Sequence, residues 1–413
     1  MKGRKKVFTI LILGLLSAIG PLSIDMYLPG FPAIARDLNT TVAEVSLSLS
    51  SFFIGISVGQ FMYGPLLDRY GRKNPLYAGL AVYLLTSIGC ALVTSVDALI
   101  GLRLLQALGG CVGMVAARAL IRDIFPVNEN AKVFSLLMLV VGVSPIIAPT
   151  LGGYVTAAFG WHSVFVILCF LAVFVLVAVH FTLPEGRAPD PTFSLRPASI
   201  TRRFLGVLRE PQFYTYALTG SIASAGLYAY IAGSPYVFME IFGATERQYG
   251  WIFALIAAGL ITASQLNSLL LRKYSSEQII RVALFCQAII GVALFAGSYL
   301  GVLDITTTIG LCFLFLSCQG FTFPNTSALS LAPFAKTAGS ASALLGGIQM
   351  GIGACTSALV SIFSNHTAIP MTSIMAACAV SACLILYMGR KMIVKKATVH
   401  AVEEEAIEMA STS

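Results

Sequence analysis

The stretch GPLLDRYGRKNPL, residues 64–76, separates two long apolar blocks, 44–67 and 75–95. A glycine in it permits a tight turn, and the acid Asp68 precedes a cluster of basic residues. Any one of these residues alone is ordinary in a loop that sets membrane topology. Together with the flanking blocks they predict two membrane-spanning helices joined by a short basic loop.

The composition extends this pattern to the whole chain. Of the 413 residues, 57% are hydrophobic and 11% are charged, whereas a soluble domain carries about 25% charged residues. The apolar residues run continuously over the length of a membrane helix and do not alternate as the strands of a β-barrel do. We therefore predict an all-α membrane protein with 12 transmembrane helices, at 7–30, 44–67, 75–95, 98–120, 131–156, 163–183, 213–238, 249–271, 279–301, 305–330, 338–364 and 368–388.

The basic residues predict the orientation of the chain in the membrane. Of the 26 Lys and Arg residues, 22 fall in one set of loops and termini, and only Arg36 and Arg247 fall in the other set. Because Lys and Arg accumulate in cytoplasmic loops, we predict that both termini are cytoplasmic and that the protein is a multi-pass protein of a bacterial inner membrane. The net charge of +8 then reflects topology, and no nucleic-acid partner is expected.

A long Pro- and Arg-rich loop divides the chain into two parts of six spans each. We predict an N-terminal six-helix half at 1–183, a cytoplasmic linker at 184–212, a C-terminal six-helix half at 213–388 and a solvated, poorly ordered cytoplasmic tail at 389–413. Two such halves joined by a basic linker are typical of a transporter.

Several classes of protein lack support in the sequence. The nine cysteines lie within apolar blocks without CxxC pairs, and the four histidines are scattered, so no metal site or disulfide framework is predicted. No GxxxxGK[ST] or HExxH motif occurs, which gives no support to ATP binding or to metal-dependent hydrolysis. We expect no cofactor and no enzymatic activity, and a receptor or structural role does not account for paired six-span halves.

The loop at 64–76 resembles the signature G-x-L-x-D-R-x-G-R-K of the major facilitator superfamily. The resemblance implies two six-helix halves around a central cavity and a loop that gates its inner side. It implies that Asp68 engages a helix N-terminus in the second half, which favours an acid, and holds the halves together when the transporter faces outward. The residues assigned to gating in this loop are Asp68, Arg69, Gly71 and Arg72. We expect Arg118, Arg122 and Asp123, near the cytoplasmic end of span four, to pair with the loop.

Span four also places a cation inside the membrane. Arg103 lies about five residues into the span, roughly 8 Å deep at 1.5 Å per residue, and Gln106 lies on the same helix face. One interpretation is an arginine that extends its charge to the outer interface; the other is a buried cation in a cavity. The span resembles the superfamily pattern R-x-x-Q-G, with Ala107 in place of the glycine, and this resemblance favours proton coupling.

Span five, with LVVGVSPIIAPTLGGYV at 139–155, resembles the signature of the drug/proton antiporter branch. Pro149, Gly152 and Gly153 match it and are assigned to gating, while Ser144 and Ala148 replace two glycines. The alternative is a generic helix contact, because small residues let membrane helices pack closely. Four further segments resemble the bicyclomycin- and chloramphenicol-resistance (Bcr/CflA) group: PLSIDMYLP, RDIFP, GWHSVF and SPYVFME.

Asp25 follows a full uncharged span length, from Val7 to Ile24, and falls within the first predicted span. It lies roughly 9 Å deep, similar to Arg103, so an interaction between the two is geometrically reasonable. Burial favours the neutral carboxyl and a nearby arginine favours the ionised one. We therefore hypothesise that Asp25 and Arg103 couple transport to protons; the alternative is an interfacial aspartate that caps a turn before Pro29.

The pocket requires apolar and aromatic walls with few polar groups. The predicted function is proton-coupled efflux of small neutral or zwitterionic drugs such as chloramphenicol, florfenicol or bicyclomycin. The alternative is a proton-coupled uptake symporter for a small metabolite with the same fold. The expected partners are the drug, protons and membrane lipid, with a monomeric protein. The residues predicted to bind substrate are Tyr27, Phe31, Gln106, Tyr228, Tyr230, Tyr236 and Gln349.

Overall fold

The structure, a computed structural model, describes residues 4–186, 188–191, 197–334 and 338–411, and over these ranges it contains helices and no strand. Residues 187 and 192–196 of the predicted linker and 412–413 of the predicted tail lie outside the described residues. The α-helices are α1 Arg4–Asp25, α2 Phe31–Asp37, α3 Val42–Tyr70, α4 Lys73–Ala91, α5 Val96–Ile124, α6 Val127–Phe159, α7 His162–Thr182, α8 Pro197–Leu208, α9 Pro211–Pro235, α10 Glu246–Leu270, α11 Ser276–Leu300, α12 Ile305–Leu331, α13 Ala338–Ile362 and α14 Ile369–Ser411.

In the described part of the chain, 11 helices or helical stretches are long and apolar enough to cross a membrane. The predicted all-α membrane fold is therefore confirmed. The remaining predicted span, 213–238, corresponds to α9, which is 25 residues long and uncharged but rich in Thr, Ser, Gly and Tyr. Most residues of α9 are buried in the protein, and a helix that faces protein instead of lipid can carry such polar side chains.

Side chains at the helix starts explain where several spans begin. Thr41, Ser95 and Asp304 each accept a hydrogen bond from the backbone amide three residues later, which satisfies an amide that has no partner within the helix. Helices α10 and α11 begin with complete capping boxes, Thr245 with Gln248 and Ser275 with Gln278. The polar residues between spans therefore fix the ends of the helices.

The spans form two groups, which we call the N-terminal set (α1–α7) and the C-terminal set (α9–α14). The sets meet mainly along two seams, α3 with α13 and α6 with α10. Ser57 Oγ donates to the carbonyl of Gly347 at 2.8 Å in the first seam, and Thr150 Oγ1 donates to that of Gly250 at 3.4 Å in the second. The end of the molecule that carries the C-terminus of α3 and helix α8 is called the basic end below. The predicted domain boundaries stay a prediction.

Both predicted connecting segments contain helix. The linker contains a helix, α8, whose Phe204 ring packs against that of Phe61 with 5.4 Å between centroids. The predicted poorly ordered tail continues α14 as a helix to Ser411. The Glu, Ala and Met residues of this stretch have high intrinsic helix propensity.

We predict that Gly109→Ala lowers the midpoint of thermal unfolding, because α5 lies against α4 at this position. A Cβ atom on Gly109 would lie 2.7 Å from both the carbonyl oxygen of Gly79 and the amide nitrogen of Tyr83. Overpacking of this kind costs about 1–3 kcal/mol. The measurement is thermal unfolding of detergent-purified protein, followed with a dye that reacts with newly exposed cysteines.

Gly101→Ala is the matched control on the same helix, since a Cβ atom there has no neighbour within 4 Å. This control is expected to unfold at or slightly above the wild-type temperature, because Ala favours helix over Gly. Equal midpoints for the two variants would contradict the close approach of α4 and α5.

Candidate functional site

Arg103 is a fully buried cation in the N-terminal set, with 0% of its surface exposed. Its Nη1 donates to Gln106 Oε1 at 2.6 Å, and its Nη2 donates to the carbonyl of Ser23 at 3.0 Å. The guanidinium also lies over the rings of Tyr27 and Phe52, 4.6 Å and 4.2 Å from their centroids. These contacts replace water around the charge, so the interpretation as an interfacial arginine is wrong.

The partners of Arg103 are themselves held by hydrogen bonds. Gln106 Nε2 donates to Ser87 Oγ at 2.7 Å, and the hydroxyls of Ser23 and Tyr83 are 2.6 Å apart. The network therefore ties α1, α4 and α5 together around one guanidinium. Although Arg103 Nε has no hydrogen-bond partner among the described residues, a polar network of this kind in a membrane core makes the group of helices rigid.

Asp25 ends α1 and is 5% exposed. Among the described residues it forms no ion pair or hydrogen bond with Arg103. Its carboxyl instead lies near enough to Tyr230 and Tyr249 of the C-terminal set to interact with them electrostatically. Ser23 explains this direction: its side chain contacts α4, and the side chain two residues later on a helix points about 200° away.

The surroundings of Asp25 are formed by a close contact between the two sets. Tyr249 shares a 2.8 Å hydrogen bond with Ser234, whereas the buried hydroxyl of Tyr230 has no hydrogen-bond partner among the described residues. On the other side, Gly152 approaches the carbonyl of Met26 so closely that any Cβ atom would overlap it. The carboxyl is thus enclosed between helices of both sets.

The small residues of α6 have the packing role that their size suggests. A Cβ atom on Gly153 would overlap the carbonyl of Glu246 at the start of α10, and one on Gly250 would lie 2.8 Å from the carbonyl of Pro149. Backbones therefore touch along the α6–α10 seam. The gating role assigned to Pro149, Gly152 and Gly153 stays a prediction.

At the basic end, Arg72 bridges two carboxylates of the N-terminal set. Its Nη1 donates to Asp68 Oδ1 at 2.8 Å, and its Nε donates to Asp123 Oδ2 at 2.7 Å. Burial opposes the positive charge, but the hydrogen bonds from Arg72 to Asp123 and Asp68 outweigh it and raise the pKa of Arg72. This bridge joins the end of α3 to the end of α5.

The 64–76 loop is also tied to the linker. Gly71 has a φ of +79°, a backbone conformation that suits glycine, and this turn brings the loop against Pro189. The backbone amide of Asp190 donates to the carbonyl of Asp68 at 3.2 Å, and Arg69 Nη1 donates to the carbonyl of Pro191. Within the described residues, the Asp68 carboxylate forms no hydrogen bond with α13.

The expected pairing of span-four charges with this loop holds for Asp123 and not for the two arginines. In the described ranges, Arg118 and Arg122 form no ion pair, and Arg118 Nη2 contacts only the Met114 sulfur, at 3.4 Å. Helix α5 places them one turn apart along the same wall. That wall borders a cavity of about 680 Å³ at the basic end.

This cavity lies between the two sets. Helices α3 and α5 supply Gln60 and Val115, α8 supplies Phe204 and Val207, and the start of α13 supplies Ser340. None of the seven residues predicted to bind substrate lines it, so their roles stay predictions.

The sequence patterns did not indicate Gln60 or Phe204 as lining residues. A lone glutamine within an apolar span is a signal that could have identified Gln60.

The predicted substrate-binding residues lie elsewhere in the helix packing. Tyr27 and Phe31 stack edge to face with 4.9 Å between centroids, and both are buried beside Arg103. The Tyr228 ring packs against Phe53 across the seam between the sets, with 4.9 Å between centroids. Tyr236 pairs with His366 at the opposite end, Tyr230 lies near Asp25, and Gln349 is half-buried on α13.

The C-terminal set contains a second buried polar group that the sequence analysis did not identify. Gln319 Nε2 donates to Ser224 Oγ at 2.5 Å, and Gln287 Nε2 donates to Gln319 Oε1 at 3.4 Å. These side chains join α9, α11 and α12 without any charge. In the described residues, no group of His, Cys, Asp and Glu has the arrangement of a metal site.

Comparison with known proteins identifies close relatives of this chain. Residues 13–358 match the Major Facilitator Superfamily. A bicyclomycin resistance protein homolog of Haemophilus influenzae is 32% identical, over 94% of this chain and 97% of the relative. The multidrug resistance protein MdtL of Escherichia coli is 30% identical, over 80% of this chain and 82% of the relative.

Solved structures show the same fold at low sequence identity. A bacterial homolog of the human lysosomal transporter Spinster superimposes with a TM-score of 0.75 and 14% identity, over 96% of this chain and 99% of that chain. A D-xylose-proton symporter gives a TM-score of 0.69, also at 14% identity, over 92% and 97% of the two chains. The likeness extends over nearly the whole length of each protein.

We predict that Arg103→Lys strongly lowers the thermal unfolding midpoint. A lysine carries a compact charge that cannot stack on Tyr27 and Phe52 as a planar guanidinium does, and it is more strongly hydrated. Hydrogen bonds to charged groups are each worth about 1.5–3 kcal/mol, so losing one of the two is expected to be measurable. Thermal unfolding in detergent is the test.

Arg247→Lys provides the matched control. Arg247 also lies over a tyrosine ring, that of Tyr154, at 5.3 Å from its centroid, but it is exposed. Exposed stacking of this kind contributes only about 0.5–1 kcal/mol, so this variant is expected to unfold near the wild-type temperature. If Arg247→Lys lowered the unfolding temperature as much as Arg103→Lys does, burial would not explain the effect at Arg103.

Proposed function

Because the chain belongs to the major facilitator superfamily of membrane transporters, we propose that it exports small drugs from the cell in exchange for protons. As a transporter of this family it moves molecules across a membrane and is not expected to act as an enzyme. Two relatives, named for bicyclomycin resistance and multidrug resistance, support drugs as the transported class. The charge of the loops supports a cytoplasmic basic end in a bacterial inner membrane.

Asp25 is the observation that carries the proposal of proton coupling. A carboxylate that is 5% exposed and has no cation partner among the described residues is costly to keep ionised in a membrane protein. It lies where helices of both sets meet, so separation of the sets would expose it to water. Contact between the two sets then favours the protonated carboxyl of Asp25, and separation of the sets permits release of its proton.

Arg103 supports this cycle as a positioning residue. It holds the carbonyl of Ser23 at 3.0 Å and lies over Tyr27, so it contacts the chain on both sides of Asp25. The carboxyl is therefore held at a fixed depth while its environment changes. In this proposal the cation orients the helix end and does not itself exchange the proton.

The cavity and the seams support alternating access. The cavity opens between the sets at the basic end, while Ser46 Oγ donates to the carbonyl of Ala232 across the sets at 3.1 Å near the opposite end. If one set rocks against the other, the cavity at the basic end closes and the contact between Ser46 and Ala232 opens. Asp68, Arg69, Gly71 and Arg72 would then contact the C-terminal set when the cavity closes. The transporter is proposed to act as a monomer within membrane lipid.

We predict that Asp25→Asn abolishes drug-driven proton release while the protein still folds and inserts. Asparagine keeps the size and polarity of the side chain but cannot carry a transferable proton. The assay uses everted membrane vesicles, acidified inside by respiration, with a pH-sensitive dye and chloramphenicol added outside. Wild-type protein is expected to release protons when the drug enters.

Asp97→Asn is the matched control, because Asp97 is exposed at the start of α5. It is expected to retain proton release. An uptake symporter would require its compound inside the vesicles, so proton release after external addition separates the two directions of transport. Full release from the Asp25→Asn vesicles would exclude Asp25 as the coupling group.

We predict that the transporter exports chloramphenicol in preference to the permanent cation ethidium. The membrane-embedded network around Arg103 is cationic, and Asp25 is a buried carboxylate of the same helix set. A permanent cation would meet this positive charge without a compensating acid once Asp25 is protonated. Efflux of both compounds from loaded cells measures the preference, and much faster ethidium efflux would contradict it.

A further inference from the structure

The cavity at the basic end has an unbalanced charge. Three arginines line it, and Arg72 is paired with both Asp68 and Asp123. Arg118 and Arg122, one helical turn apart on α5, form no ion pair among the described residues. The lining therefore carries three positive and two negative charges, and Arg118 and Arg122 are the two arginines that contact no carboxylate in the described part of the chain.

Arg118 is the more deeply placed of the two. It is partly buried, its one recorded hydrogen bond is to the weakly accepting sulfur of Met114 at 3.4 Å, and its charged neighbour is Arg122, which repels it. A guanidinium held away from water beside a like charge is unfavourable unless an anion joins it. Each guanidinium offers several N–H groups in a planar fork that matches a carboxylate.

The rest of the cavity has the character of a small-molecule site. Its volume of about 680 Å³ lies within the usual range for ligand pockets, which are mostly apolar with few placed polar groups. The apolar walls come from four separate parts of the chain, namely α5, α8, the turn after α12 and α13, and Gln60 and Ser340 add uncharged polar groups. The apolar residues concerned are Val115, Phe204, Val207, Phe334 and Ala343.

We propose that this cavity binds the anionic group of an amphipathic organic anion or zwitterion, with its carboxylate held by Arg118 and Arg122 and its apolar body against Phe204 and Val207. The proposal rests on the proposed export function in one respect: the bound molecule is taken to be a transported one. It ranks compounds within that class, because those that carry a carboxylate or a similar anion are expected to bind more tightly than neutral ones. Neutral compounds can use only the apolar walls.

The test compares two probes that share one body, chloramphenicol and its hemisuccinate ester, which adds a carboxylate. Equilibrium binding is measured with purified full-length protein in nanodiscs of phosphatidylcholine, which contain no anionic lipid to occupy the arginines. Wild-type protein is expected to bind the hemisuccinate roughly tenfold more tightly, as one charge-assisted hydrogen bond supplies. Added salt should reduce this preference.

Arg118→Gln is expected to remove most of the preference, and Arg118→Lys, which keeps the charge, to retain part of it. Arg281→Gln is the matched control, since it removes an exposed arginine of α11 outside the cavity and should keep the full preference. Equal binding of the two probes by wild-type protein would overturn the proposal, as would an equal loss in the Arg281→Gln control.

The binding measurement is independent of proton coupling because it uses no gradient. If the proposed antiport fails in vesicles while the hemisuccinate preference depends on Arg118, the anion site stands and the direction or coupling of transport is wrong. If the preference is absent while drug-driven proton release depends on Asp25, the anion site is wrong and the antiport stands.

Discussion

The burial of the Arg103 guanidinium is the constraint on which the rest of the N-terminal set depends. A charge with no exposed surface is tolerated inside a membrane protein only when protein atoms replace its water. Here those atoms are one backbone carbonyl, one amide side chain and two aromatic faces. They belong to α1 and the turn after it, to α3 and to α5, so satisfying one charge fixes the mutual positions of three helices.

The same constraint decides which way Asp25 faces. The carbonyl of Ser23 is bound by Arg103, and the hydroxyl of Ser23 is paired with Tyr83. Because successive side chains on a helix turn by about 100°, the side chain of Asp25 points away from that network and toward the C-terminal set. The cation and the acid thus have separate environments: Arg103 lies within a rigid group of helices, and Asp25 lies at a surface where two groups meet.

The sequence allowed the depth of these residues to be predicted but not their direction. A charge within an uncharged run shows how far it lies inside the membrane, since helix rise per residue is constant. Which way it faces depends on the rotation of each helix, and this is set by packing with helices far away in the chain. Agreement in depth made an interaction between Asp25 and Arg103 geometrically reasonable, but for this reason it could not decide whether the two side chains meet.

The cavity was unpredictable for a related reason. Its walls come from α3, α5, α8 and α13, and α8 lies in a segment that charge and proline content indicated to be an irregular linker. The signature at 64–76 did allow the loop to be predicted, because its glycine, acid and arginine form a local structure: Arg72 reaches Asp68 only four residues away. Contacts that are local in sequence could be predicted, whereas the site assembled from distant helices could not.

The strengths of the interactions within and between the sets differ in a way that suits movement. The charged contacts of Arg103 and Arg72 lie inside the N-terminal set, and the Arg390–Glu277 pair at 2.9 Å lies inside the C-terminal set. The seams instead use serine or threonine hydroxyls and close backbone contacts, which contribute little individually. Strong interactions within each set and weak, uncharged ones between them allow the sets to move as rigid bodies. A buried carboxyl at the seam can then bias this movement by gaining or losing one proton.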